Sequence, residues 1–346
     1  MLKPLEWDAS AGCLRVLDQR ELPAREAWCE CRSAADVAKA IREMRVRGAP
    51  AIGIAGAWGV VLAAHAHFTG SSSWRTAVAE ELDQLAHARP TAVNLQQALE
   101  RMGRVIASER ATLEDLEAEA GAIETEDIAA NRRIGELGAA LLPQGSRVLT
   151  HCNTGALATG GHGTAAGIIR TAFEQGRLKE VLATETRPWL QGMRLTTWEL
   201  AHDGIPVSLI VDSAAAACMA AGEVDAVIVG ADRITRRGDV ANKIGTYALA
   251  LAASAHGLPF IVAAPATTVD PRLAEGSEIP IEERDGSELW RAAGLEQAPP
   301  GVVTRNPAFD VTPARLITAV VTEHGVARVA AGETPFITPP ESAEQA

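Results

Sequence analysis

The sequence predicts an α/β protein in which a Rossmann-like, doubly wound parallel sheet domain is preceded by a mainly helical N-terminal domain with a small antiparallel sheet. Three observations carry that reading. After Gly145, short and almost continuously apolar runs alternate with stretches of helical length, the pattern of parallel strands buried on both faces. From Ser33 to Pro143 the pattern is instead helical. The composition, 47% hydrophobic and 22% charged over 346 residues, leaves room for two folded domains, and 4% aromatic residues imply a core of small aliphatic side chains.

Residues 1–32 are short, mixed and turn-rich and suit the small antiparallel sheet. Ser33 with Asp36 makes a helix start resembling a capping box, and Val37, Ile41 and Met44 follow at helical spacing. Pro50 suits the first turn of the next helix, where Gly53, Gly56 and Gly59 offer a smooth packing face. The apolar part of that helix, Ala49 to Ala64, is shorter than the ~20 residues a membrane span needs, so it reads as a buried helix; a Gly70-Ser71-Ser72-Ser73 break follows. Further helices are predicted over 92–110, 111–122 and 126–142, before Pro143 and Gly145 stop the pattern. Strands are predicted over 147–150, 180–184, 206–211, 226–230, 259–263 and 301–304, with helices over 164–176, 188–203, 213–222 and 241–256. The domains are then 1–143 and 144–338, with a polar tail over 339–346. The stretch 265–300 reads as an irregular excursion.

Charge and cysteine usage narrow the function. The net charge is −12, only four of the 32 cations are Lys, and no Lys/Arg block exceeds a pair, which excludes non-specific binding to nucleic acid or an anionic membrane. A small anionic substrate remains compatible, because a pocket can be basic on an acidic protein. Five cysteines, an odd number without a CxxC pair, argue for free thiols in a reducing, cytoplasmic setting. The N-terminal residues lack the pattern of a signal peptide.

Ligands of open parallel sheets sit beyond the carboxyl ends of the strands. The residues found there are His151-Cys152-Asn153 and a glycine-rich loop, then Glu185-Thr186-Arg187, Asp212-Ser213 and Ala231-Asp232-Arg233. Cys152 has two readings: a small buried hydrophobe, or a thiol activated by His151 and the loop. Asp232 is either a cap or ion-pair partner of Arg233, or a desolvated general acid. Gly161-x-Gly163-x-x-Ala166 resembles a dinucleotide fingerprint, but it begins too far from the strand end, which argues against nicotinamide. The histidines lack metal-ligand spacing. Arg47-Gly48-Ala49-Pro50, Arg89-Pro90-Thr91 and Asn242-Lys243 each place a cation at a predicted helix start, an arrangement suited to a phosphate.

Five segments together resemble the S-methyl-5-thioribose-1-phosphate isomerase family of methionine salvage: RGAPAIGIAGAWG (Arg47 to Gly59), ARPTAVNL (Ala88 to Leu95), THCNTGALATGGHGTA (Thr150 to Ala165), ETRPWLQGMRLTTWEL (Glu185 to Leu200) and VGADRITRRGDVANKIGTY (Val229 to Tyr247). The resemblance runs from about Leu22 to Glu333. Its wider superfamily includes ribose-1,5-bisphosphate isomerases and regulatory subunits of the translation-initiation exchange factor. It implies a homodimer acting on a small-molecule sugar 1-phosphate, without metal or nucleotide cofactor. By motif, Cys152 and Asp232 match the catalytic positions, and Arg47, Gly48, Ala49, Arg89, Gln191, Asn242 and Lys243 match the substrate-binding ones. Asn153-Thr154 and Pro188-Trp189-Leu190 vary beside them.

The implied chemistry suits these residue types. A furanose with phosphate on its anomeric oxygen cannot open as a free hemiacetal does. A proton must reach the ring oxygen, and the resemblance gives that role to Asp232. Hydrogen must then pass from C2 to C1, with Cys152 as base or as transition-state stabiliser. Two other readings differ in what they require. A dehydrogenase needs bound nicotinamide, whereas a regulatory subunit has no need to keep Cys152 together with Asp232 and the phosphate set.

Overall fold

The computed structural model describes residues 2–68, 74–89, 92–292, 294–296 and 298–335. The break at 70–73, Pro90-Thr91 and the tail over 339–346 therefore lie outside the described residues. The chain divides into two compact units: residues 1–129 with 155–163, and residues 130–154 with 164–346.

The first unit opens with strands β1 (Leu5–Asp8), β2 (Cys13–Leu17) and β3 (Trp28–Cys31), paired antiparallel in that order as the sequence predicts. Helices α1 (Ala34–Arg42), α2 (Ala49–His67), α3 (Trp74–Ala86) and α4 (Val93–Ala107) follow, then α5 (Leu113–Ala139), whose residues from 130 on belong to the second unit. Ser33 caps α1: its side chain accepts the Asp36 N–H at 3.1 Å and donates to the Asp36 carboxylate at 2.8 Å. Pro50 lies in the first turn of α2, and residues 51–64 of that helix are buried. Among the described residues α2 alone is long and apolar enough to cross a membrane. Here it is the core helix of this unit, packed against α1, α3 and α4. A Cβ at Gly56 would fall 2.4 Å from Leu95 of α4, so the glycine face is what allows that close approach. The two helices predicted over 111–122 and 126–142 are one, α5, with Gly121 inside it.

The second unit contains β4 (Ser146–Thr150), α6 (Ala165–Glu174), β5 (Leu178–Thr184), α7 (Thr197–His202), β6 (Val207–Ile210), α8 (Ala215–Ala220) and β7 (Ala226–Val229). Then come β8 (Arg233–Thr235), β9 (Val240–Lys243), α9 (Thr246–Ala255), β10 (Phe260–Ala263), β11 (Val269–Asp270), α10 (Ser287–Arg291), β12 (Phe309–Thr312), β13 (Ala319–Thr322) and β14 (Gly325–Ala327). The main sheet has the order β14-β13-β10-β7-β4-β5-β6 and is parallel except for β14. Counted from β4, its parallel strands run 3-2-1-4-5-6, the dinucleotide-fold order, with the switch point between β4 and β7. Neighbouring residues on each strand point to opposite faces. Val148, Val181, Ile228 and Ile261 join one buried cluster, with Ile168 and Ile169 of α6. Leu149, Leu182, Val227 and Val262 join the other, with Met219 of α8 and Leu249 of α9. That double burial explains the unbroken apolar runs.

Three expectations need correction. The run 301–304 is not a strand: it follows two prolines and Gly301 at φ +82°, and Val303 is 89% exposed. The helix predicted over 241–256 starts only at Thr246, because residues 240–243 form β9 in a second sheet ordered β11-β8-β9-β12. The helix predicted over 188–203 is interrupted: a turn with Leu190 at positive φ leads into a π-helical segment, Gly192–Thr196, and only then into α7.

Candidate active site

Both resemblance-derived catalytic positions fall at the switch point of the second unit. Cys152 follows β4 and Asp232 follows β7, the two strands that flank it. The backbone at the end of β7 packs closely on the Thr154 side chain beyond β4, since a Cβ at Gly230 would lie 2.3 Å from Thr154 Cγ2. Cys152 is buried and sits at φ +63°, a left-handed conformation that costs a non-glycine residue energy. Two threonines hold it there. The Cys152 N–H donates to Thr186 Oγ1 at 2.9 Å, and its carbonyl accepts from Thr196 Oγ1 at 2.5 Å. The Asp232 N–H donates to the Ala241 carbonyl at 2.9 Å, tying the loop to β9. Arg233 reaches towards Asp270, 3.9 Å away.

His151 does not supply a positive charge for the thiol, as the sequence reading allowed. Burial lowers its pKa, so the ring is neutral near pH 7. Its Nε2 lies 2.9 Å from the Ile244 carbonyl and must donate to it; Nδ1, 2.6 Å from Thr184 Oγ1, is then the acceptor. Immediately after Cys152, Asn153 donates from Nδ2 to Glu199 at 2.7 Å, and Glu199 accepts from Arg170 at 2.7 Å. Arg170 and Glu199 are both buried, so this ion pair fixes the far side of the Cys152 turn.

Gln191 follows β5 and is 7% exposed, and its Oε1 has no hydrogen-bond partner. A buried amide oxygen left unpaired is costly, and a ligand hydroxyl is the kind of group that would satisfy it. Asn242 and Lys243 lie on β9 rather than at a helix start. Asn242 donates to Thr246 Oγ1 at 3.0 Å. The Lys243 ammonium donates to the Ala308 carbonyl at 2.9 Å and stands 4.6 Å over the Phe309 ring. Sequence reasoning missed Asp310. It lies opposite Asn242 in the β9–β12 register and accepts the N–H groups of Gly245 and Tyr247 at 2.8 and 3.0 Å, closing the start of α9. Burial pushes its pKa up to about 6. No local signal marks it, because its partners are more than sixty residues away in sequence.

The remaining candidates belong to the first unit. Gly48 sits at φ +92° and precedes α2 without a side-chain cap, so Arg47, Gly48 and Ala49 do form a cation-bearing helix start. A Cβ at Gly48 would fall 2.5 Å from Ala158 of the glycine-rich loop. The N–H groups of that loop are already used within the protein: Gly160 donates to Asp127 of α5 at 2.7 Å, and Gly161 and Gly163 donate to Thr159 Oγ1 at 3.3 and 3.1 Å. A dinucleotide fingerprint would turn such groups towards a pyrophosphate. Arg89 lies between α3 and α4, where its carbonyl accepts the Ala92 N–H at 3.0 Å. Among the described residues no three His, Cys, Asp or Glu side chains cluster in a way that would hold a metal ion.

Comparison with known proteins shows the family of the chain. The initiation factor 2 subunit family matches residues 45–329. A methylthioribose-1-phosphate isomerase from Alkalilimnicola ehrlichii is 57% identical over 94% of this chain and 94% of its own. Another from Pseudomonas aeruginosa is 55% identical over 94% and 92%. The crystal structure of 5-methylthioribose 1-phosphate isomerase from Pyrococcus horikoshii superposes with a TM-score of 0.89 at 42% identity, covering 95% of this chain and 93% of that one. The translation initiation factor eIF-2B subunit delta from A. fulgidus superposes at 0.84 with 44% identity, covering 95% and 96%. The chain belongs to the initiation factor 2 subunit family and to its isomerase branch.

Proposed function

We propose that the protein converts S-methyl-5-thio-α-D-ribose 1-phosphate into S-methyl-5-thio-D-ribulose 1-phosphate, as the isomerase step of methionine salvage. The observation that carries this reading is the placement of Cys152 and Asp232 on either side of the switch point, together with a buried Gln191 after the adjoining strand β5 whose amide oxygen is unpaired. Asp232 in its acid form gives its proton to the ring oxygen while the bond from that oxygen to C1 breaks, leaving an oxocarbenium-like C1. Two routes complete the balance. In one, the Cys152 thiolate takes the C2 proton and a C1–C2 double bond forms. The enol hydroxyl then returns its proton to Asp232, and Cys152 protonates C1. In the other, the C2 hydrogen moves to C1 with its electron pair, the C2 hydroxyl proton returns to Asp232, and the thiolate stabilises the cation. The reaction is redox-neutral overall and calls for neither nicotinamide nor metal. In this reading Arg47, Gly48, Ala49, Arg89, Gln191, Asn242 and Lys243 bind the sugar phosphate.

The proposal extends to a cytoplasmic homodimer. Five free cysteines suit a reducing compartment. Leu209 of the edge strand β6 and Val211 just after it are about half exposed, a surface that a second copy would cover, and the mass in solution checks this. The activity itself is tested by incubating chelator-treated protein with a panel of aldose 1-phosphates and following phosphorus NMR. The 5-methylthio sugar should yield a 1-phosphoketose without additives. A strict need for NAD or a divalent metal, or no turnover of any member of the panel, would overturn it.

A further inference from the structure

Thr186 adopts a conformation that its residue type disfavours. It is fully buried, β-branched and at φ +64°, a genuine outlier for such a side chain. The surrounding bonds show what holds it. The two Asp212 carboxylate oxygens accept the N–H groups of Thr186 and Arg187, both at 2.8 Å. The Thr186 carbonyl accepts the Leu190 N–H at 2.7 Å, closing the turn that leads into Gln191. Behind it, a Cβ at Gly192 would lie 1.8 Å from the Thr184 carbonyl oxygen, so this turn is pressed onto the end of β5.

The Thr186 hydroxyl has one evident use for this position. It accepts the Cys152 N–H at 2.9 Å and lies 3.2 Å from Thr184 Oγ1, which donates to His151. The donor directions are then fixed. His151 accepts the Thr184 hydroxyl proton and gives its Nε2 proton to Ile244, and the Thr186 hydroxyl gives its own proton to Thr184, whose hydroxyl and carbonyl oxygens lie 3.2 and 3.3 Å away, leaving a Thr186 lone pair for Cys152. Two left-handed residues from neighbouring strand ends thus meet through one hydrogen bond, and Asp212 anchors the pair from a third strand end.

We propose that Thr186, locked by Asp212, is a positioning residue that holds the Cys152 thiol in its reactive geometry. The proposal rests on the catalytic role of Cys152 given above. Misplacing a reacting group by about 1 Å costs on the order of a hundredfold. Thr186→Val keeps the β-branch and removes the oxygen, so kcat should fall about 10- to 100-fold; KM should stay within about threefold, since the phosphate-binding residues are untouched. Thr186→Ser restores the oxygen and should recover most of kcat. The decisive comparison places Thr186→Val in a Cys152→Ala background. A residue acting through the thiol should change that residual turnover by less than about twofold. Equal losses in both backgrounds, or no recovery by serine, would overturn the proposal. If Thr186→Val does not fold, Asp212→Asn carries the same cycle. It leaves one of the two N–H groups without an acceptor and should also act only when Cys152 is present. Should Cys152→Ala itself be fully active, the functional reading fails, and the Thr186 assignment with it. An inactive Cys152→Ala beside a fully active Thr186→Val would sink the positioning role alone.

Discussion

The two regions offered for substrate differ in how they are built. At the switch point of the second unit, Cys152 is buried, conformationally strained and held by hydrogen bonds to Thr186 beyond β5 and from Thr196 of the π-helical segment. At the start of α2, Arg47, Gly48 and Ala49 present a partly exposed cation and an uncapped helix N-terminus. The first construction suits groups that must meet a short-lived species within tenths of an ångström. The second suits an anion whose charge is the same in substrate, transition state and product. The comparison teaches that chemistry and binding should separate cleanly in mutant kinetics.

The largest effect should come from the thiol. Cys152→Ala should fold normally and lose about 10²- to 10⁴-fold in kcat, in the range for a positioned catalytic group. Cys218→Ala, whose thiol pKa is raised by burial and which follows no strand end, should stay near wild type. Equal losses in the two variants would return Cys152 to a structural role. Next comes Arg89→Ala, which should raise KM with little change in kcat. A charge-assisted hydrogen bond contributes ~1.5–3 kcal/mol, or roughly 10- to 150-fold. An unaltered KM would show Arg89 to be only part of the α3–α4 connection. The smallest effect concerns Asp310. Burial raises its folded pKa to about 6, above the ordinary carboxylate value. The folded state therefore binds more protons than the unfolded one between about pH 4 and pH 6, and this contribution to stability falls as pH rises through that window. Thermal melts of wild type and Asp310→Asn should differ most in slope there. Parallel curves would show that Asp310 does not titrate in this range.

What the sequence reveals follows from how local each cause is. Five of the six parallel strands were readable from their apolar runs, and the ends of two of them pointed to Cys152 and Asp232; the sixth, β13, was not, since the sequence reading placed it at 301–304. Ser33 and Pro50 were readable because helix starts depend on their own side chains. The position of Asn242 and Lys243 was not, because β9 exists by pairing with β12, far along the chain. The single helix α5 runs through Gly121, a residue that costs an exposed helix only about 1 kcal/mol relative to Ala and so marks no boundary. Thr186 and Asp212 were visible as strand-end residues, but nothing in a threonine announces a left-handed backbone; only the Asp212 carboxylate across the sheet end explains it.

The central claim is that the switch point performs the chemistry, and Asp232→Asn tests it most directly. Asparagine keeps the size and much of the hydrogen bonding but cannot supply an acidic proton. Calorimetric titration with the sugar phosphate, alongside turnover, should give an affinity within about threefold of wild type and a kcat lower by about 10²- to 10⁴-fold. A near-normal kcat, with the loss appearing in thermal stability instead, would make Asp232 a structural anchor of the β7–β9 region and contradict the account.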